Sequence, residues 1–174
     1  MKEMIRYGFI LALICIVASG LLAVVHSLTK LKIIAQAQEE EEMSLKEVMP
    51  QGEKFIPVKK GEEILYYKVN DKDDKFIGVA FKAEGDGYSS DIETMVGMTK
   101  DGTITNIKIL SQNETPGLGM QVTEPAFLNQ FSNKNIKNLN EVQAITGATI
   151  SSTAVIDSVQ IKAKEIQKLI QNER

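Results

Sequence analysis

The sequence predicts an α+β protein in which an N-terminal transmembrane helix precedes a small domain with an antiparallel sheet and packed helices. Three observations support this fold class. An uncharged apolar run lies near the N-terminus, short alternating segments between turn residues fill the middle, and a helical apolar stripe closes the chain. With 174 residues, the chain has room for one modest domain besides the N-terminal segment.

The composition excludes several classes of function. The net charge is -3 and no basic stripe with interleaved aromatic residues occurs, so we expect no nucleic-acid partner. The single cysteine, Cys15, and the single histidine, His26, both lie in the apolar run. We therefore expect no intramolecular disulfide, no His/Cys metal centre and no Ser-His-Asp triad.

The N-terminal segment has the length of one membrane-spanning helix. From Tyr7 to Leu28 the chain contains no Asp, Glu, Lys or Arg, and a span needs about 20 apolar residues. Lys2 and Arg6 precede the run, which favours a cytoplasmic N-terminus, although Lys30 and Lys32 directly after the run weaken the contrast. We therefore predict residues 1–6 in the cytoplasm, residues 7–28 among the lipids of the cell (inner) membrane, and an extracytoplasmic domain.

Three other interpretations of this segment fit the residues less well. A cleaved signal peptide would have a shorter apolar core, and the small-residue site at Ala35 and Ala37 lies well past the run. A lipid-modified Cys15 would need a small residue before it, whereas Ile14 is large. The start also resembles that of a pilin, but a pilin would have a glutamate where Leu13 stands.

Residues 29–52 are predicted to form a helical connector. Apolar residues within this segment are spaced for one helix face, and Glu39–Glu42 form a solvated charge run between them. Pro50 and Gly52 are expected to end the helix. We expect this segment to act as a stalk between the membrane and a folded domain at residues 53–174.

The middle of the chain has the pattern of an antiparallel sheet. Four strands are predicted at residues 63–69, 76–81, 92–98 and 104–110. The polar cluster at residues 70–74 predicts a turn, and Asp101-Gly102 predicts a hairpin. A glycine-rich loop is predicted at residues 85–90.

Helices are predicted after the sheet. Pro125, at a first helical position, predicts a short helix through Phe131, followed by an Asn-rich loop at residues 132–140. A longer helix is predicted from about Thr153 to Gln171. Its apolar stripe consists of Val155, Val159, Ala163, Ile166 and Ile170.

Two stretches are candidate ligand sites. The glycines and the proline of Glu114–Gly119 let the main chain approach a flat ligand closely, although a plain tight turn would need the same residues. The stretch from Ile145 onward presents the hydroxyl of Thr149 beside a helix start, with Ser151 or Ser152 as N-cap. Such a start favours an anionic group such as a phosphate, whereas the plainer interpretation is a Ser/Thr-rich cap without a ligand.

Four features, in this order and spacing, resemble the FMN-binding domain family. They are the N-terminal anchor, Gly87-Tyr88 before a strand with Met95-Val96-Gly97, the Glu114–Gly119 loop, and Thr146-Gly147-Ala148-Thr149 followed by Ile-Ser-Ser. Over essentially its full length the chain resembles the G subunits of Rnf (Rsx) electron-transport complexes. The C subunits of sodium-pumping NADH:quinone reductases share this plan in a longer chain.

The resemblance implies that residues 53–174 bind FMN and that the phosphate of FMN is covalently attached to Thr149. Thr146, Gly147 and Ala148 match the motif positions before the acceptor, whereas the acidic first position of the motif falls on Gln143. It also implies further cofactor contacts. These are Glu114, Thr115, Gly117, Leu118 and Gly119 in the loop, Ser151 and Ser152 or their N–H groups at the phosphate, and Tyr88, for which a core position is the alternative.

The resemblance implies a membrane-anchored flavoprotein subunit that carries electrons in ferredoxin:NAD oxidoreduction coupled to ion translocation. Its partners would be the other subunits of the complex and a flavin transferase for maturation. We expect no catalysis by the chain alone, because it shows no acid/base pair. The alternative function is a non-redox, single-span extracytoplasmic domain, pilin-like or sensory, which would be colourless.

Overall fold

The computed structural model describes residues 2–61 and 63–172, which form two compact units, Met1–Glu40 and Glu41–Arg174. Helix α1 spans Lys2–Val48. The first unit is the part of this helix up to Glu40, and the last turns, from Glu41, belong to the second unit. The α1 side chains around the apolar run are exposed on all sides, for example Phe9 and Leu22. The helix is long and apolar enough to cross a membrane by length and composition, as predicted.

The second unit contains one antiparallel sheet in the order β1-β2-β3-β4-β5. The strands are β1 Lys54–Lys60, β2 Glu63–Asn70, β3 Phe76–Asp86, β4 Asp91–Thr99 and β5 Ile104–Ser111. The predicted strands correspond to β2 through β5. The α+β fold class is therefore confirmed.

Strand β1 was not predicted; Pro57 lies in its middle, and a proline argues against a central strand. In the structure β1 is an edge strand that pairs only with β2, where Pro57 stands opposite Tyr67. An edge strand tolerates proline because one of its sides makes no ladder hydrogen bonds.

The loop predicted at residues 85–90 is shorter than expected, since Gly85 and Asp86 end strand β3. Gly85 serves there for close packing. A Cβ at this position would meet the carbonyl oxygen of Ala154 and would lie 3.1 Å from the Cβ of Ser158, both in the last helix. The hairpin predicted at Asp101-Gly102 is present, and Gly102 has a φ of +82°.

Short helical segments connect the sheet to the last helix. Helix α2 spans Pro125–Leu128 and ends before Phe131, the predicted end. The Asn-rich segment predicted as a loop contains a 3-10 helix, Ile136–Glu141. Phe127 and Phe131 are buried, with ring centroids 5.4 Å apart in an edge-to-face arrangement.

Helix α3 spans Thr149–Asn172 and covers one face of the sheet. Its predicted apolar stripe is confirmed, because all five residues from Val155 to Ile170 are buried in the main core. The helix begins at Thr149, earlier than the expected Thr153. The carbonyl of Ala148 accepts the first helical hydrogen bond, from Ser152 N at 2.9 Å, so the two serines lie in the first turn and neither is the N-cap.

The end of α1 packs on the other face of the sheet. A second core cluster contains Leu45, Val48, Met49, Val69, Ala80 and Met95. The compact unit consequently begins at Glu41, before residue 53, where we expected the domain to start. The assignment of residues 1–6, 7–28 and 29–52 to cytoplasm, membrane and connector stays a prediction.

Candidate functional site

A cavity of about 370 Å³ lies between the loop after β3, the loop after β5 and the start of α3. Its volume is in the range of small-molecule sites, about 300–1,000 Å³. Ten residues line it: Tyr88, Glu114, Thr115, Leu118, Gly119, Gly147, Ala148, Thr149, Ile150 and Ser151. Both stretches that the sequence singled out therefore meet at one site.

The turn before α3 is held by its own hydrogen bonds. Gly147 has a φ of +84°, and the N–H of Ala148 donates to the carbonyl of Ile145 at 3.0 Å. The hydroxyl of Ser152 accepts from the N–H of Ile145 at 3.1 Å and donates to the carbonyl of Ala148 at 2.8 Å. The position of Thr149 at the cavity is thus fixed by a buried serine one turn further along the helix.

The first turn of α3 presents free donors beside the cavity. Within the described part of the chain, the backbone N–H groups of Thr149, Ile150 and Ser151 have no hydrogen-bond partner. Such orphan groups, together with the positive end of the helix dipole, favour an anion. The side chain of Thr149 is exposed next to them.

The Glu114–Gly119 loop contains a tight turn. The N–H of Leu118 donates to the carbonyl of Thr115 at 3.1 Å, with Pro116 and Gly117 at the two central positions. Gly117 has a φ of +75°, which matches the residue preference of a type II turn. This turn brings Leu118 to the cavity wall, where a Cβ at Gly147 would lie 3.9 Å from its Cδ2 atom.

Glu114 lies at the base of the cavity, with only 3% of the residue exposed. Its Oε1 atom accepts from the N–H groups of Ser89 at 2.9 Å and Ser90 at 3.1 Å. Its Oε2 atom accepts from the N–H of Tyr88 at 3.3 Å and from the hydroxyl of Ser151 at 2.6 Å. We call the carboxylate and these four donors the Glu114 cluster.

The hydrogen bonds of this cluster favour the charged form of the carboxylate. Burial acts to raise the pKa of Glu114, but the hydrogen bonds from Ser151 and from the three backbone N–H groups outweigh burial and hold the pKa below its usual value. The base of the cavity therefore carries a negative charge at neutral pH.

Two glycines make room for the Glu114 cluster. A Cβ at Gly87 would lie 2.5 Å from Oε1 of Glu114, and a Cβ at Gly119 would lie 2.7 Å from Oγ of Ser151. Any larger residue would displace the carboxylate or its partner.

Apolar side chains form the rim of the cavity. Tyr88 is 71% exposed, Ile150 55% and Leu118 51%, although all three line the cavity. The alternative of a core position for Tyr88 is therefore wrong. Exposed large apolar side chains gathered at a cavity are typical of a ligand site.

The structure brings most of the predicted site residues together, but not all of them. Thr146, Gly117 and Ser152 do not line the cavity, and the last two act by shaping the turns. The hydroxyls of Ser151 and Ser152 are both hydrogen-bonded within the protein. The backbone N–H of Ser152 donates to Ala148, so among the described residues only Ser151, of the two serines, keeps an unpaired backbone N–H. Contacts of any of these residues with a cofactor stay predictions.

Sequence reasoning missed Ile150, which lines the cavity. One signal was available: Ile150 is a large apolar residue at the start of α3 that does not belong to the buried stripe. Gln143, at the acidic motif position, has an exposed side chain. Its backbone is paired with the side-chain amide of Gln130, which accepts from Gln143 N at 2.9 Å.

A larger cavity, of about 510 Å³, lies where β2 and β3 diverge. Glu41, Tyr67 and Lys82 are among its lining residues, and it contains none of the predicted site residues. Among the described residues, no group of three or more His, Cys, Asp or Glu side chains could hold a metal ion.

Two family models match the chain. One, described as the FMN-binding domain, matches residues 87–164, and another, described as the RnfG N-terminal region, matches residues 1–48. The first match includes every residue that lines the 370 Å³ cavity.

The chain is also similar to individual proteins. The G subunit of the ion-translocating oxidoreductase complex of Methanosarcina acetivorans is 33% identical over 172 residues, covering 91% of this chain and 92% of that protein. The G subunit of the Na(+)-translocating ferredoxin:NAD(+) oxidoreductase complex of Acetobacterium woodii is 30% identical, covering 97% and 94%. The crystal structure of Shewanella oneidensis NqrC has a TM-score of 0.48 at 20% identity, covering 70% of this chain and 74% of that chain.

Proposed function

The chain belongs to the family of G subunits of ion-translocating oxidoreductase complexes, and on this premise we propose that it is a membrane-anchored flavoprotein that carries electrons within such a complex. The overall reaction would be ferredoxin:NAD oxidoreduction coupled to ion translocation, as named for the Acetobacterium woodii relative. Its partners would be the other subunits of the complex.

We further propose that FMN is attached through its phosphate to the hydroxyl of Thr149. The observation that supports this most directly is the position of Thr149, exposed at the first residue of α3 and on the wall of the cavity. A phosphodiester there would keep one negative charge beside three unpaired N–H groups. An anion at an exposed helix start gains about 0.3–1 kcal/mol from the dipole.

The residues of the chain would bind and orient the flavin. When bound, FMN supplies the electron-transfer chemistry. The backbone N–H groups of Thr149, Ile150 and Ser151 would hold the phosphate, and the apolar rim of Tyr88, Leu118 and Ile150 would contact the ring system. A phosphate linkage leaves the ring free, so attachment and redox chemistry do not compete.

The test of attachment is the intact mass of the denatured protein, purified from membranes of a host with an active flavin transferase. We expect an added mass equal to FMN less one water, and its loss in Thr149→Ala. Thr153→Ala is the matched control, because Thr153 is an exposed threonine one turn further along α3. Parent protein without covalent flavin would overturn this part of the proposal.

A second proposal concerns topology: residues 7–28 span the membrane, with residues 1–6 in the cytoplasm and the domain outside. Lys2 and Arg6 before the run support this orientation, whereas Lys30 and Lys32 after the run act against it. Because Cys15 is the single cysteine, a Cys15→Ser background allows one new cysteine at a time. An impermeant maleimide on intact spheroplasts should label Lys100→Cys and leave Glu3→Cys unlabelled; the reverse pattern would overturn the orientation.

The non-redox alternative, a pilin-like or sensory domain, is not favoured by any observation of the site. The match of the FMN-binding domain model to residues 87–164 argues against it.

A further inference from the structure

The Glu114 cluster connects the separate walls of the cavity. Three of its donors are the consecutive N–H groups of the loop at residues 88–90, and the fourth is the hydroxyl of Ser151 on α3. Glu114 itself is the first residue of the third wall, the Glu114–Gly119 loop. A second bond reinforces the arrangement, because the N–H of Asn113 donates to Oγ of Ser90 at 2.7 Å.

Only a carboxylate satisfies these four donors together. Its two oxygen atoms are both acceptors, whereas the amide of a glutamine has one oxygen and a donor NH₂ group. A glutamine could keep its oxygen toward Ser89 and Ser90, and the hydroxyl of Ser151 could turn to accept from the amide. The N–H of Tyr88 would then face another donor and lose its hydrogen bond.

Glu114 also determines what Ser151 can do at the site. The hydroxyl of Ser151 is 2.6 Å from Oε2 of Glu114, and its proton is used in that bond. With Glu114 ionised, this hydroxyl has no proton to donate to an anion at the helix start. The neighbouring backbone N–H groups remain as donors.

We propose that Glu114 is a positioning residue for the flavin: it holds Tyr88 and the first turn of α3 at a fixed separation, and it leaves the phosphate to the backbone N–H groups. This inference rests on the proposed function of the same site. It differs from the role expected from the sequence, in which Glu114 is itself a cofactor contact. The expected consequence is a flavin that stays attached but loses its fixed orientation when the cluster is broken.

The test uses the full-length flavinylated protein in detergent, as Glu114→Gln and with Glu124→Gln as the matched control. Glu124 is exposed and its side chain does not cap α2. Loss of a hydrogen bond to a charged group should raise the open population of the loop about tenfold. Hydrogen exchange of a peptide that contains residues 87–90 should accelerate by that factor in Glu114→Gln, with no change in the control.

The decisive readout is the visible circular dichroism of the flavin, which a purely structural role would not change. We expect this signal to fall in Glu114→Gln while the mass of the bound flavin is retained. Faster exchange with an unchanged flavin signal would overturn the positioning role, and so would unchanged exchange.

Ser151→Ala is the second variant, in case Glu114→Gln does not fold. It removes one donor of the cluster without affecting the backbone N–H groups. Hydrogen exchange at residues 87–90 and the circular dichroism of the flavin should therefore change in the same direction as in Glu114→Gln, but by a smaller amount. An unchanged flavin signal in a folded Ser151→Ala would also overturn the proposal. If the parent lacks covalent flavin, the attachment at Thr149 is wrong, and free FMN becomes the probe: the parent should then induce a flavin signal that Glu114→Gln does not.

Discussion

The phenol hydroxyl of Tyr67 in β2 donates a hydrogen bond of 2.6 Å to Oε1 of Glu41, near the end of α1. The other oxygen of Glu41 forms an ion pair with Lys82 in β3, at 2.8 Å. Burial, followed by the hydrogen bond and the charge of Glu41, raises the pKa of Tyr67 above its usual value. One carboxylate therefore joins the end of α1 to two strands at the point where they diverge.

Replacement of Tyr67 by phenylalanine should destabilise the second unit by about 1–2 kcal/mol, because a hydrogen bond to a charged acceptor is lost. Thermal unfolding in detergent, followed by circular dichroism, measures this change. Tyr88→Phe is the control, since Tyr88 is exposed and its ring is not in the core. Equal unfolding temperatures for Tyr67→Phe and the parent would contradict the prediction.

Acidification should weaken the domain through Glu114. Because the pKa of Glu114 is lower in the folded than in the unfolded chain, its contribution to stability is present above the unfolded pKa and is lost as the pH falls through the folded pKa. The loss should begin below about pH 4.3, the ordinary value for glutamate. Unfolding temperatures measured against pH should fall less steeply in Glu114→Gln than in the parent or in Glu124→Gln. Identical slopes in all three proteins would show that Glu114 contributes nothing to the acid response.

Ser152→Ala should destabilise the domain by about 1–3 kcal/mol, because the N–H of Ile145 loses its acceptor in a partly buried place. Ser158→Ala is the matched control on the same helix. The hydroxyl of Ser158 only donates to the carbonyl of Val155, so its loss leaves no backbone donor unpaired. The destabilisation by Ser158→Ala should therefore be smaller than that by Ser152→Ala. Thermal unfolding of the two variants measures both destabilisations. Equal destabilisation by Ser152→Ala and Ser158→Ala would contradict the assigned role of Ser152.

Alanine at two glycines of the site should act by different mechanisms. Gly147→Ala forces a side chain into a positive φ without a clash, which costs roughly 1–2 kcal/mol. Gly119→Ala places its Cβ against Oε2 of Glu114 and 2.7 Å from Oγ of Ser151, and it therefore displaces the Glu114 cluster. A double-mutant cycle with Ser151→Ala separates the two mechanisms by thermal unfolding. The free-energy cost of Gly119→Ala should fall only in part in the Ser151→Ala background, because the contact with Oε2 of Glu114 remains, whereas the cost of Gly147→Ala should not fall.

Local patterns were sufficient for much of this fold. Alternation and turn residues located β2 through β5, and a 3.6-residue period identified the face of α3 that packs on the sheet. The length of the uncharged run identified the apolar helix that could span a membrane. These features can be predicted from the sequence because each depends on residues that lie close together in it.

Other features depended on contacts between distant residues. Strand β1 contains a proline and exists because the edge of the sheet tolerates one. The boundary of the second unit lies at Glu41 because apolar residues of α1 are buried against the sheet. Helix α3 begins at Thr149 because Ala148, after the glycine turn, accepts the first helical bond.

The candidate site divides in the same way. The two motifs around Gly117 and Thr149 were recognisable from the sequence alone, because their small residues and hydroxyl groups lie close together in it. That these motifs share a cavity, that Ile150 lies on its wall, and that Glu114 at its base binds Ser151 and the loop at residues 88–90 follows only from the folded structure. A buried carboxylate needs hydrogen-bond donors, and the donors to Glu114 lie more than twenty positions away in the chain, so no local pattern reveals them.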